Sequence, residues 1–224
     1  MKLYYYTNKG KLRDSNEDGI LIDDKIVLDD MDTPKKLEGK FHKFIVCDGM
    51  GGLEDSQKAV QKALEVLSKK FDDIETILKT INSNIQTGGF AIAGIVDNVV
   101  FNVGDCRVYK KEDIFLNKLT KDHSLVQSLV DNGIITDEEA LTHPKKNIIT
   151  SAIDGKEFEI YSKKIKMFDN DIFLICSDGV WGEFGIDELE DVFVGDFDTI
   201  NENLFKALQN KKLEDNCSYI LIKK

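Results

Sequence analysis

A chain of 224 residues, 42% of them hydrophobic, is long enough to bury the core of one large domain, and no Pro- or Ser-rich linker divides it. The net charge of −11 argues against a nucleic-acid partner, because affinity for a phosphate backbone comes chiefly from Lys and Arg. No apolar run approaches the roughly 18 residues needed to span a bilayer, and Met1-Lys2-Leu3-Tyr4-Tyr5-Tyr6 has no apolar signal core, so a cytoplasmic protein without membrane partners is expected.

Taken in chain order, residues 3–7, 19–22 and 26–28 read as strands, and residues 29–40 as a charged, solvated loop. An uninterrupted apolar run, Phe44-Ile45-Val46-Cys47, follows and ends in Asp48-Gly49. From Ser56 the apolar positions Val60, Ala63, Leu64, Leu67 and Phe71 recur at helical spacing, then Ile74, Ile77, Leu78, Ile81 and Ile85, which predicts two consecutive amphipathic helices. Residues 90–96 and 99–103 form a hairpin pattern about Asp97-Asn98. A turn at Gly104-Asp105 leads into another strand at Arg107, with a short one near Phe115. A helix about Leu125 to Val130 stops at Gly133, and Thr136-Asp137-Glu138-Glu139 has the form of a capping box. Strands return over 158–167 and 171–176, then a helix over 200–209 and a closing strand at Tyr219-Ile220-Leu221-Ile222. Strand runs with paired helices indicate an α+β protein with helices covering antiparallel sheets.

Two of the apolar runs have the same ending. Phe44 to Cys47 enters Asp48-Gly49-Met50-Gly51-Gly52, and Ile172 to Cys176 enters Ser177-Asp178-Gly179. Each reads as a strand buried on both faces with a carboxylate at its end. The last strand mirrors them, with Asp215-Asn216 in front of it. If that strand runs antiparallel to the other two, three carboxylates converge on one rim. Clustered carboxylates resist joint ionisation without a cation, and hard oxygen ligands suit Mg²⁺ or Mn²⁺. Taken singly, each Asp-Gly is also an ordinary turn signal. The glycines around Met50 would allow a backbone carbonyl or amide to come close to an ion.

The four cysteines, Cys47, Cys106, Cys176 and Cys217, form no Cys-x-x-Cys pair, so a zinc knuckle or a disulfide framework is not suggested and they read as reduced, buried thiols. His42, His123 and His143 share no spacing; His123 and His143 read as loop residues, neither ligands nor bases.

Six motifs in order resemble the PPM family of metal-dependent protein Ser/Thr phosphatases, the type 2C class, in its compact bacterial form. They are Arg13-Asp14-Ser15-Asn16-Glu17-Asp18-Gly19, Val46-Cys47-Asp48-Gly49-Met50-Gly51-Gly52, Asn102-Val103-Gly104-Asp105-Cys106-Arg107, Leu119-Thr120-Lys121-Asp122-His123-Ser124, Cys176-Ser177-Asp178-Gly179-Val180-Trp181-Gly182 and Asp215-Asn216. The resemblance implies one domain over residues 1–224, folded as a four-layer αββα sandwich of two antiparallel sheets flanked by helix pairs, with a flap-like insert at about 121–155. It implies two Mn²⁺ or Mg²⁺ ions and a weaker third. Asp48 would bridge the pair, Gly49 would offer its backbone carbonyl, and Asp178 and Asp215 would complete the first ion's protein ligands. Glu17 and Asp18 match positions that hold metal-bound waters, Arg13 matches a phosphate-binding arginine, and Asp105 matches a ligand of the third ion, shared with Asp178. The implied reaction is hydrolysis of phosphoserine and phosphothreonine in proteins by direct attack of a metal-bridging water. A monomer that opposes a bacterial Ser/Thr kinase is expected.

The chain departs from the family pattern in places. Thr87-Gly88-Gly89 stands where a Gly-Thr-Thr segment is usual, Cys106 where Ser is usual, Met50 where many eukaryotic members have His, and Ser151 where Arg is frequent. Lys145 and Lys146 read as a solvated pair at least as well as a substrate contact. Two other functions fit the same motifs: a catalytically weak phosphoprotein-binding module, and a hydrolase of small phosphate esters.

Overall fold

The computed structural model describes residues 1–50 and 55–224. Two six-stranded antiparallel sheets face each other. The first runs in the order β4 (Lys35–Glu38), β1 (Lys2–Asn8), β12 (Cys217–Lys223), β11 (Ile172–Cys176), β8 (Arg107–Glu112) and β9 (Phe115–Lys118). The second runs β10 (Tyr161–Lys164), β7 (Val99–Val103), β6 (Phe90–Val96), β5 (Lys43–Gly49), β2 (Gly19–Ile22) and β3 (Lys25–Val27). Helices α1 (Ser56–Leu67) and α2 (Ile74–Ser83) cover the second sheet, and α6 (Ile186–Val192) and α7 (Phe197–Gln209) cover the first. The short α3 (Leu125–Asp131) and α4 (Asp137–Thr142) lie in the 121–155 segment, and α5 (Asp178–Trp181) follows β11.

The continuous apolar runs follow from this layering. On β5, Phe44 and Val46 point between the sheets, whereas Ile45 and Cys47 point toward α1 and α2. On β2, Ile20 and Ile22 join the first group and Leu21 the second. Side chains alternate across a strand, and both faces are covered, so no polar residue is tolerated on either. The β6–β7 hairpin turns at Asp97 and Asn98, both with positive φ (46° and 65°), as a two-residue turn matching the strand twist requires. The capping box opens α4, with Thr136 accepting from the Glu139 amide and Glu139 accepting from the Thr136 amide.

Several elements differ from the sequence reading. The charged loop over 29–40 contains β4, which hydrogen-bonds along β1 as an edge strand; its Lys-rich character is what an exposed edge carries. The strand read over 158–167 shortens to Tyr161–Lys164, and ahead of its start Glu159 exchanges hydrogen bonds with Ser151 instead of a strand partner. Helices α5 and α6 were not legible, because neither opens on a side-chain cap of the kind that announces α4. Gly51 and Gly52 of the glycine cluster lie outside the described residues.

Candidate metal centre

Topology brings the chemistry to one rim of the sandwich. In the second sheet β5 ends at Asp48-Gly49, and β2 begins at Gly19 opposite Cys47, so Glu17 and Asp18 arrive beside Asp48. In the first sheet β11 ends at Cys176, and β12 runs antiparallel to it, so Ser177-Asp178 and Asp215-Asn216 meet at the same end. The carboxylates thus come from two facing sheets, not from one sheet edge. The Gly104-Asp105 turn crosses from β7 in one sheet to β8 in the other and adds a further carboxylate at this rim.

A cleft of about 580 Å³ opens there, lined by Arg13, Asp48, Asp105, Asp178 and Asp215, with Lys156 on its wall. Gly49 also lines it, and its lack of a side chain has a packing cause. A Cβ there would stand 2.6 Å from the Glu17 carbonyl oxygen, so the approach of the Glu17 backbone to β5 requires glycine. Arg13 reaches into the cleft and donates from Nη2 to Asp215 Oδ2 at 2.6 Å. The Asp178 amide points at Asp48 Oδ2, 3.4 Å away.

The electrostatics are those of crowded, desolvated acids. Burial first, and then the charges of Asp178, Asp18 and Asp105, push the Asp48 carboxyl well above the ordinary carboxylate range. Burial followed by the Asp215 charge raises Asp178. Asp105 is pushed up to about 8 and Asp18 to about 7, in both cases by burial before anything else. Asp18 Oδ2 accepts from Ser177 Oγ at 2.9 Å. Its Oδ1, and Oε2 of Glu17, are buried with no hydrogen-bond partner. Buried carboxylate oxygens without donors are rare because each costs desolvation without return. A hydrated cation in the cleft would satisfy them, and an all-oxygen donor set is what Mg²⁺ and Mn²⁺ select. The residues present fit such ions. Among the described residues no three Asp, Glu, His or Cys side chains are drawn into a ready coordination shell. Like charges in one cleft repel, and Arg13 occupies one oxygen of Asp215. An open cluster is compatible with hard ions that keep several waters.

Every residue assigned to the site from sequence lies at this rim, with Glu17 and Asp18 packed behind the cleft wall. Sequence reasoning missed the residues that hold the rim in place. Asn216, named only as part of a motif, accepts from the Glu17 amide through Oδ1 at 2.8 Å and donates from Nδ2 to the Lys9 and Ser15 carbonyls, which shapes the loop carrying Arg13. Asn82 on α2 is buried and accepts from the Asp154 and Gly155 amides while donating to the Lys156 carbonyl, which fixes the cleft wall. A polar residue within an apolar helical stripe was the available signal for Asn82. His123, read as a loop residue, is buried and has a partner: its Nδ1 accepts from the Gly104 amide at 3.1 Å. Burial holds its imidazole below its ordinary pKa, which keeps Nδ1 an acceptor. Ser151 faces the Glu159 backbone, and Lys145 and Lys146 are exposed. All four cysteines are free and buried.

No family model matches the chain. It is similar to the serine/threonine phosphatase Stp of Listeria monocytogenes, 31% identical over 221 residues that span 86% of this chain and 82% of the relative. It superposes on the PPM Ser-Thr phosphatase MsPP of Mycobacterium smegmatis, solved in complex with cacodylate, with a TM-score of 0.78 at 22% identity over 99% of this chain and 97% of that one. The catalytic domain of the serine/threonine protein phosphatase PstP, solved in complex with two manganese ions, gives a TM-score of 0.71 at 22% identity over 99% and 98%. No helix among the described residues is long and apolar enough to cross a membrane.

Proposed function

The chain belongs to the PPM family of serine/threonine protein phosphatases, and from that premise we propose that it hydrolyses phosphoserine and phosphothreonine in proteins at a divalent-metal centre in the rim cleft, by direct attack of water. The observation that carries this reading is the convergence of Asp48, Asp105, Asp178 and Asp215 on one cleft with Arg13, backed by two buried carboxylate oxygens that lack donors. Asp48, Asp178, Asp215 and the Gly49 carbonyl would hold two ions, and Asp105 with Asp178 a weaker third. The preference for Mn²⁺ or Mg²⁺ rests on the oxygen donors and on the manganese-bound neighbour. What such ions supply when bound is Lewis acidity, which neutralises phosphoryl charge and lets a hydrolytic water ionise near neutral pH.

The chain's own groups divide the remaining work. Arg13 offers a planar fork that suits two phosphate oxygens, and it would leave Asp215, to which it is now paired, to reach them. Glu17 and Asp18 present unpaired oxygens from behind Asp48, where they would accept protons of water held by such ions. Ser151 lines the cleft but its hydroxyl is engaged by the Glu159 backbone, which suits it poorly as a nucleophile. The substrates are phosphoproteins made by a Ser/Thr kinase, and Asn147, Ile149 and Thr150 of the 121–155 segment line the cleft they would enter.

The test is hydrolysis of a phosphothreonine peptide by purified protein with Mn²⁺, repeated after EDTA and alongside a small aryl phosphate. Mn²⁺-dependent release of phosphate, with kcat/KM higher for the peptide, is expected. Turnover that survives EDTA contradicts the metal centre. A preference for the small ester points to a small-ester hydrolase, and peptide binding without turnover to a phosphoprotein-binding module.

A further inference from the structure

The Asp105 turn is held by side chains that do not line the cleft as ligands. Gly104, at φ 89°, sits where a Cβ would meet the Ala91 side chain at 2.4 Å, so this turn admits no side chain there. Its amide donates to His123 Nδ1 at 3.1 Å, and its carbonyl accepts from the His123 amide at 2.9 Å and from Asn102 Nδ2 at 3.0 Å. On the other side, Trp181 Nε1 donates to the Asp105 carbonyl at 2.9 Å. The Arg107 guanidinium lies 3.4 Å from the centre of the Trp181 ring, and its fork holds Asp122, the residue before His123, through Nε and Nη2. The contacts therefore close a ring: Asp105 turn, Trp181, Arg107, Asp122, His123 and back to Gly104. Its members come from β8, from α5 next to Asp178, and from the root of the 121–155 segment.

We propose that His123 and Trp181 are positioning residues for Asp105, tying the root of the 121–155 segment to the turn that aims this carboxylate into the cleft. Two observations separate this from ordinary packing. Both bonds end on the backbone of the very turn, and both donor–acceptor pairs are buried or half-buried, where directional bonds are strongest. The inference rests on the reading of Asp105 as a ligand of a weaker ion.

The experiment compares Asp105→Asn, His123→Ala, His123→Asn and Trp181→Phe for the Mn²⁺ concentration that half-activates phosphopeptide hydrolysis and for calorimetric Mn²⁺ binding. Asp105→Asn should spare the tight binding phase, weaken the later one and raise the half-activating concentration. His123→Ala and Trp181→Phe should each raise it at least about fivefold and weaken the same calorimetric phase, with the peptide KM at saturating Mn²⁺ within about twofold of wild type. His123→Asn, whose Oδ1 can accept from the Gly104 amide, should return the value to within about twofold of wild type. Added to Asp105→Asn, Trp181→Phe should have no further effect on either readout, because nothing remains to be aimed. Trp181→Phe keeps the ring for Arg107, so it tests the bond even if His123→Ala does not fold. If Asp105→Asn shifts the Mn²⁺ dependence and Trp181→Phe does not, or if the two add in full, the positioning role is overturned while Asp105 keeps its ligand role. If Asp105→Asn itself matches wild type, the ligand reading and the positioning role fall together.

Discussion

Arg13 and Asp215, 202 positions apart, form an ion pair at 2.6 Å between a residue assigned to phosphate and one assigned to metal. Both side chains are more than two-fifths exposed, at 45% and 41%, so the pair adds little to stability. Its consequence is functional, because a guanidinium that can leave this carboxylate is placed to meet a phosphate over it.

Arg13→Ala is therefore expected to raise the phosphopeptide KM by about tenfold with a smaller loss in kcat, since it removes binding present in the ground state. Steady-state kinetics at saturating Mn²⁺ check this. An unchanged KM would reduce Arg13 to a counter-ion for Asp215.

Asp48→Asn should cost at least about a hundredfold in Mn²⁺-dependent turnover, on the order of 3 kcal/mol of transition-state stabilisation. The fold should persist, because Asp48 stands at the end of β5 and packs in neither apolar cluster. A folded variant, judged by circular dichroism, with near-wild-type turnover would refute the metal-centre reading.

The raised carboxyls make a signed prediction about pH. Burial pushes the folded-state Asp18 carboxyl up to about 7 and the Asp105 carboxyl up to about 8, from about 3.9 in the unfolded chain. Between these limits the folded state binds more protons than the unfolded one, so their contribution is full below the unfolded value and is lost as pH rises through the folded values. With EDTA present, the melting temperature should fall from about pH 6 to about pH 8.5, and saturating Mn²⁺ should raise it more at the higher pH. Differential scanning calorimetry decides this. Equal Mn²⁺ shifts at both values would mean that these acids do not face the ion.

Lys43 stands at the opposite end of β5 from Asp48 and caps α1, donating from Nζ to the Leu67, Ser68 and Lys69 carbonyls at 2.9, 3.0 and 2.9 Å. A helix C-terminus favours a cation there. Lys43→Met should lower stability by about 1–2 kcal/mol, read by urea unfolding, and leave kcat within about twofold. A loss of turnover at full stability would show that this end of β5 reaches the site.

Sequence alone determined the strand ends and what stands on them. Asp48 and Asp178 could be assigned to strand ends because the runs before them tolerate no polar residue, a pattern that both covered faces of a strand impose locally. The helical stripe through Val60, Ala63, Leu64 and Leu67 and the turn at Asp97-Asn98 were legible for the same reason, since spacing and turn chemistry act within a few residues. Tertiary structure alone decided that β5 and β11 belong to facing sheets, that Arg13 turns to Asp215, and that Asn82, His123, Trp181 and Asn216 brace the rim. These are pairings between distant elements, and α5, at four residues, opens on no side-chain cap that the sequence could announce. No local pattern records which distant backbone group a buried Asn, His or Trp will satisfy, because that partner is chosen only when the layers close.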